Sequence, residues 1–590
     1  MGGVGKTTLA KLIFNEVCPK FEFTCFVEEI KGIPGRREEV KTRVWEKMRR
    51  HGVPVSSGTG RSGDEWYQVA GKSLFLVFDD VESSEHIDLL KEIAHDNGVG
   101  ESRFVLTSRN SQRLHDCGDD AYSLRLDCLD KRDAVKLFTA YAFGGEEPPE
   151  SSKEIVEEVV DGCGGLPLSL EVLGKYLRGQ DTALWVEIPA ALRKCDEIAD
   201  LEEKVWAKLE LSYNGLPENE VKNIFLDIVW FLTPASGFFP DDAIMAWSSI
   251  YGSTLNRLKL LEDRSLVSVH HRKDEVGNDH PTFHMHEHVR GMGRRITRKI
   301  GRTLDLSWPR LSTSSSPKDY NIYSYDDRIV FQEREELGKI VAARITLEST
   351  PISAESCHFC TMLDVLPKLT AIQYLQLQLP VERKCCKRCR NQAVTLPSPL
   401  VLLGISGSTG NLVLPVEAGK NLVLLNCYCV SNLRRLVSST ACTSLVKLVL
   451  TSCEKLYELK HWLAQLQQLR ILDIERWSGK GDWLVSLGKL TSLERLALRG
   501  RGSRTPFELP PAFGQLTKLQ YLSLDECEVS YIPTSFRNLT SLRFLRLEIG
   551  DRQVIPNVIG NLQQLRVLKI KSWAVDGFME AIGHLTGLES

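Results

Sequence analysis

The chain has almost no net charge: 74 Lys and Arg against 77 Asp and Glu leave −3 over 590 residues. No polyanion-seeking surface is implied, and nucleic acid is not an expected partner. Its start lacks a basic stretch followed by an apolar core, so no secretory signal is visible, and Lys6 stands where a myristoylation signal needs Ser or Thr. Long uncharged runs are scarce. The longest, residues 391–416, is interrupted by Pro397, Pro399, Gly404, Gly407 and Gly410, which excludes it as a membrane span. Sixteen Cys are present without regular pairing, which suits free thiols in a reducing compartment better than a disulfide framework. The expectation is a soluble cytoplasmic chain, with the nucleus open.

One feature is missing where it should be. MGGVGKTTLA, residues 1–10, fits the phosphate signature G-x-x-x-x-G-K-[ST] from its second position onward, so the signature's first Gly would precede Met1. The strand that normally leads into such a loop is missing too, leaving a gap expected in the sheet. The far end stops two residues after a repeat leucine, Leu588. Truncation at both ends is expected.

What is present is organised in three parts, a multidomain α/β chain. FTCFV (23–27), SLFLVF (73–78) and SRFVLTS (102–108) are short apolar runs separated by helical stretches, the pattern of a parallel nucleotide-binding sheet over residues 1–125. Residues 126–195 and 196–300 read as two helical subdomains. Residues 301–340 turn polar and rich in Ser, Thr and Pro, as a linker does. Residues 341–590 are periodic. Taking the first Leu of each L-x-x-L-x-L core gives Leu400, Leu422, Leu445, Leu469, Leu493, Leu519, Leu542, Leu565 and Leu588, with steps of 22, 23, 24, 24, 26, 23, 23 and 23 residues. That period is one strand and one return segment of a leucine-rich-repeat solenoid.

The chemistry concentrates at two strand ends and the opening loop. Gly2, Gly3, Val4, Gly5, Lys6, Thr7 and Thr8 form the candidate nucleotide-binding run. Its glycines let backbone N–H groups turn onto phosphate, Lys6 would reach the β/γ-phosphates, and Thr7 would hold Mg²⁺. LFLVFDD ends a strand in two carboxylates: Asp79 would orient Mg²⁺, and Asp80 is the candidate catalytic residue that positions or activates water. Arg109, after VLTS, is placed to sense a γ-phosphate; a plain surface arginine is the alternative.

GGVGKTTLA, LFLVFDDV, SRFVLTSR, CGGLPLSLEVLG, FLDIVWFL and MHEHVRGMGR occur in the order found in plant nucleotide-binding leucine-rich-repeat immune receptors, and the chain resembles them over nearly its whole length. The missing Trp after DDV, the LEVLG extension and FLDIVWF are more similar to receptors with an N-terminal TIR domain. The resemblance implies an NB-ARC module, a P-loop sheet with helical (ARC1-like) and winged-helix (ARC2-like) subdomains, ahead of the repeats. It also implies that Pro167 packs on adenine and that His286 reaches the β-phosphate of ADP. Glu287 stands where the family usually has Asp, one methylene farther out.

The resemblance implies an ADP/ATP switch with Mg²⁺, ADP-bound off and ATP-bound on, hydrolysis serving at most as a slow reset. Its repeats would recognise a pathogen-derived or guarded host protein and take part in autoinhibition, and the activated chain would self-associate. A P-loop ATPase with real turnover, or a truncated chain acting only as a binding module, are the other two readings. Outside the family pattern, Cys357, Cys360, Cys386 and Cys389 form two C-x-x-C pairs that could hold Zn²⁺, although Cys is also a common small core residue of repeats. Cys453 and Cys527 occupy the N/C position of the repeat and read as scaffolding.

Overall fold

The structure, a computed structural model, describes residues 2–28, 30, 72–96, 102–110, 121–232, 238–274, 277–308, 337–347, 365–379, 394–407, 412–413, 416–430, 442–453, 460–477, 483–500, 507–549 and 557–571, with positions 583, 585 and 587–589. They fall into two units. One comprises residues 1–215 with 286–289, the other residues 216–285 with 290–590.

In the first unit, α1 (Lys6–Val17) follows the opening loop, and three parallel strands pair in the order β1 (Phe23–Val27), β2 (Leu74–Phe78), β3 (Arg103–Leu106). All five residues of β2 are buried, because alternate side chains point to opposite faces and both faces are covered. Phe75 and Val77 meet Ala10, Ile13 and Phe14 of α1. Leu74, Leu76 and Phe78 meet Ile87, Leu90 and Ile93 of α2 (Ser84–Asp96). The three strands are contiguous, and among the described residues β3 pairs only with β2, its residues running from exposed to half-buried. The carboxyl ends of β2 and β3 therefore open beside the start of α1, where Asp79, Asp80 and Arg109 follow.

Among the described residues five further helices follow in the unit: α3 (Lys131–Phe143), α4 (Lys153–Cys163), α5 (Pro167–Leu177), α6 (Thr182–Asp196) and α7 (Leu201–Asn214). α3, α6 and α7 begin at Asp130, Asp181 and Asp200, whose carboxylates accept the backbone N–H three residues on, satisfying otherwise orphan donors of the first turn. The Phe138 ring meets Trp185 edge-on at 6.0 Å in their shared core. Gly165 adopts φ +67°, and a Cβ there would lie 2.2 Å from the Leu129 carbonyl oxygen. Only glycine permits the sharp turn that delivers α5.

The second unit starts with α8 (Asn219–Phe231), α9 (Pro240–Tyr251) and α10 (Leu255–Asp263), then an antiparallel hairpin of β4 (Ser268–Lys273) and β5 (Asp279–His284). α11 (Glu287–Lys299) has its first turn in the first unit and the rest in the second. Asp227 of α8 is 2 % exposed and accepts hydrogen bonds from Trp247 Nε1 at 3.0 Å and Arg302 Nη2 at 2.6 Å.

Among the described residues the solenoid forms one twelve-stranded sheet. Its path runs through β6 (Thr303–Trp308), β7 (Ala342–Leu347), β8 (Tyr374–Gln378), β9 (Leu402–Ser406), β10 (Leu424–Tyr428), β11 (Lys447–Thr451), β12 (Ile471–Trp477), β13 (Arg495–Gly500), β14 (Tyr521–Tyr531), β15 (Phe544–Ile549) and β16 (Val567–Lys571), with Phe507–Glu508 beside β14. The first strand lies within residues 301–340, where the sequence reads as linker: β6 pairs in parallel with β7, and Leu304 enters the shared repeat core. The leucine anchors from Leu400 to Leu565 are all fully buried in that core, with Leu588 packed against it. Cys453 Sγ donates to the Cys427 carbonyl at 3.5 Å and Cys527 Sγ to the Leu498 carbonyl at 3.6 Å, each thiol stitching one repeat to its predecessor.

On the opposite sheet face, successive strands place a cation and aromatics in line. The Arg495 guanidinium lies 3.9 Å from the Tyr521 ring, which stacks on Phe544 at 4.3 Å and 6°, and Lys569 Nζ sits 5.7 Å from Phe544. Cys357, Cys360, Cys386 and Cys389 lie outside the described residues. Among the described residues no group of three or more His, Cys, Asp or Glu could hold a metal ion, and no helix is long and apolar enough to cross a membrane.

Candidate functional site

The opening loop is built by glycine. Gly3 and Gly5 have φ of +76° and +95°, a region that L side chains rarely enter. At Gly3 a Cβ would also press on Leu168 at 3.1 Å, while at Gly5 it would meet nothing within 4 Å. Val4 is buried, and Thr7 and Thr8 are exposed. α1 starts at Gly5 with no side-chain cap and no acid in its first turn, in contrast to the Asp-capped α3, α6 and α7. Its first N–H groups, at the positive end of the helix dipole, are thus left for an anion.

The second strand end supplies the carboxylates. Thr7 Oγ1 donates to both Asp79 oxygens, at 3.0 and 2.9 Å, so the hydroxyl and carboxylate expected to share Mg²⁺ are in direct contact. Asp79 is 4 % exposed. It also accepts from Thr107 Oγ1 at 2.6 Å, and Thr107 in turn accepts the Asp80 backbone N–H at 2.9 Å. Asp80 sits at φ +60°, a conformation Asp tolerates better than most residues. Its two carboxylate oxygens are engaged by Arg109, Nε to Oδ1 at 3.1 Å and Nη2 to Oδ2 at 3.5 Å.

Lys6 has its pKa lowered by burial and by Arg109, with Asp80 and Asp79 opposing. Two cations and two carboxylates therefore face one another around the loop. Such a set can bind a polyphosphate and its Mg²⁺, and its glycine geometry and uncapped helix fit that group.

Two further segments reach the loop. Pro167 is the first residue of α5, where its missing N–H costs nothing, and the next residue, Leu168, donates its N–H to the Gly3 carbonyl at 3.3 Å. The other segment is the first turn of α11. His286 Nδ1 accepts the His288 backbone N–H at 3.2 Å, and the two rings stack with centroids 5.7 Å apart. His288 is the imidazole that packs on Gly2, where a Cβ would lie 2.1 Å from Nε2.

The structure thus gathers Gly2, Gly3, Gly5, Lys6, Thr7, Asp79, Asp80 and Arg109 into one site and brings the turns carrying Pro167 and His286 to it. Thr107, bonded to Asp79 and Asp80, and His288, packed on Gly2, join this candidate set and were missed by sequence reasoning. Thr107 carried a weak signal, a hydroxyl directly after the strand. His288 carried none, standing one residue past the motif triplet.

Residues 1–147 match the NB-ARC domain family and residues 448–590 a leucine-rich repeat region. The chain's relatives are plant disease resistance proteins. Disease resistance protein RUN1 of Vitis rotundifolia is 29% identical over 320 residues, which is 53% of this chain and 22% of that protein. TMV resistance protein N of Nicotiana glutinosa is 27% identical over 50% of this chain and 25% of its own length. Disease resistance protein RPV1 of Vitis rotundifolia is 31% identical over 39% of this chain and 16% of its own. The chain thus matches a quarter or less of each of these relatives.

Proposed function

We propose that this chain, an NB-ARC domain joined to leucine-rich repeats, is the nucleotide-switch and recognition part of an intracellular plant immune receptor, off with ADP and on with ATP. The observation that carries the proposal is the contact of Thr7 with both oxygens of Asp79, at the foot of a glycine turn whose helix start is left uncapped. Gly2 to Thr8 would hold the phosphates, with Lys6 on the β/γ oxygens, Thr7 and Asp79 on Mg²⁺, Pro167 against adenine, and His286 on the β-phosphate. Bound Mg²⁺ would supply charge neutralisation between phosphate oxygens.

The pairing of Asp80 with Arg109 favours a switch over an ATPase with real turnover. A carboxylate whose two oxygens are both engaged by a guanidinium is poorly placed to orient an attacking water, so hydrolysis is at most a slow reset. Arg495, Tyr521 and Lys569, seated over the buried Phe544 ring, supply aromatic and cationic groups of the kind that anchor protein interfaces, and we assign the repeats recognition of a pathogen-derived or guarded host protein. Moving a switch from 1:99 to 99:1 takes about 5.5 kcal/mol of differential binding, which nucleotide exchange and partner binding would share. Self-association follows activation, and the chain works in the cytoplasm, with the nucleus a second site.

The test is to purify the chain, denature it and identify released nucleotide by chromatography. ADP near one per chain supports the proposal, and Lys6→Ala should abolish it. Protein that is folded but empty, and that binds no added ADP or ATP, would overturn it.

A further inference from the structure

His288 has no part in the roles assigned above, yet its ring packs against Gly2 of the phosphate loop. It is 3 % exposed, and a Cβ on Gly2 would fall 2.1 Å from its Nε2 and 2.8 Å from its Cδ2. The glycine at position 2 is therefore what admits the ring. Nε2 is buried and makes no hydrogen bond of full geometry among the described residues, with the Gly2 backbone as its near polar neighbour. An imidazole nitrogen buried without a well-formed hydrogen bond is costly, and this one lies against the candidate phosphate loop.

We propose that His288 is a further phosphate-contacting residue, whose Nε2 takes up a proton and, as N–H, donates a hydrogen bond to a phosphate oxygen when a nucleoside diphosphate or triphosphate enters the loop. The inference rests on the nucleotide-binding reading and adds a second histidine to it, one position past the triplet that carries His286.

The electrostatics of the site give the step its direction. Burial holds His288 down at about 4, with Arg109 after β3 pushing the same way and Lys6 at the start of α1 adding to it; Glu287 on its own turn and the Gly2 backbone oppose. His286, stacked at 5.7 Å, is a further titratable neighbour. In the loop without phosphate the ring is therefore neutral at cellular pH. A phosphate brings negative charge against the same two cations, which removes their push and favours the imidazolium, in which both ring nitrogens donate. The proton comes from solvent, stays on the ring while nucleotide is bound, and returns on release. No covalent bond changes.

The experiment is calorimetric titration of Mg-ADP into the intact chain, stripped of nucleotide, in two buffers of different ionisation enthalpy at the same pH near 7. Wild type should take up a proton on binding, to the extent of a substantial fraction of one per ADP. His288→Gln and His288→Asn should bind several-fold to tenfold more weakly and without that component, the difference between proteins cancelling the nucleotide's own ionisation. Thermal unfolding of each variant checks that it is folded, and the wild-type measurement stands even if one variant is not.

If wild type binds ADP with the same net proton change as a folded His288 variant, the inference fails and the nucleotide reading survives. It fails equally if uptake persists in His288→Gln and disappears in His286→Gln. If the folded chain binds no ADP, both fail together.

Discussion

Tyr374 on β8 donates a 2.9 Å hydrogen bond to Asp227 on α8, and so joins a solenoid strand to a helix 147 residues earlier. The same buried carboxylate accepts from Trp247 and Arg302, and the Tyr374 ring stacks on Trp230 at 6.0 Å. One acid therefore ties the helices of the second unit to the first repeats.

Asp227→Ala should be among the most damaging single changes in that unit. It would leave the Arg302 guanidinium, 10 % exposed, without its partner, a loss on the order of 3 to 5 kcal/mol. Urea unfolding followed by tryptophan fluorescence should show the midpoint falling accordingly, with Asp227→Asn less severe because it keeps an acceptor.

Thr107→Val should weaken Mg²⁺-dependent nucleotide binding about tenfold, or roughly 1.4 kcal/mol, the scale of a hydrogen bond to a charged group. The valine is close in shape but loses both the donor to Asp79 and the acceptor for the Asp80 N–H. Affinity measured with Mg²⁺ should fall and that measured with EDTA should change little. Thr107→Ser should restore binding.

The second unit should lose stability as pH rises above neutrality. His280 lies between Asp241, 2.6 Å from Nδ1, and Asp274, 3.1 Å from Nε2, and the hydrogen bond to Asp241, followed by that to Asp274, raises its pKa against the opposing effect of burial. A base with a raised folded-state pKa contributes fully below its unfolded value near 6.5, and the contribution disappears as pH climbs through the raised one. Thermal melts between pH 6 and 8.5 should show a decline that His280→Gln flattens. An equal slope in that variant would contradict the assignment.

Leu519→Ala should cost about 2 to 5 kcal/mol, the range for emptying a fully buried leucine site. Lys518→Ala, one residue earlier and exposed, should stay within about 0.5 kcal/mol. Denaturant melts of the two variants make the comparison.

Local pattern made much of this fold legible. FTCFV became β1 over the same residues, and LFLVF became β2, because a buried parallel strand is an unbroken apolar run. The repeat anchors from Leu400 to Leu565 were readable because each step returns a leucine to the same core. β6 was not, since TLDLSW is short and sits beside a Ser- and Pro-rich stretch, and its place comes from pairing with a strand 39 residues on. Site residues on the loop and at strand ends could be found from their neighbours in sequence. Thr107 and His288 could not, since the first acts by bridging two consecutive acids from an adjacent strand and the second by filling the space above a glycine 286 positions away. Asp227 was hidden too, an acid inside an apolar helix whose partners come from three other segments.

The stitching thiols of the solenoid bear on how it weathers oxidants. Burial pushes Cys453 up to about 11 and Cys527 up to about 12, so at neutral pH both remain protonated donors. Peroxide and electrophiles react with the thiolate form, which these two sulfurs do not offer. An oxidant would therefore find little thiolate at these two positions, and the stitches they make between neighbouring repeats would outlast attack on more exposed sulfurs.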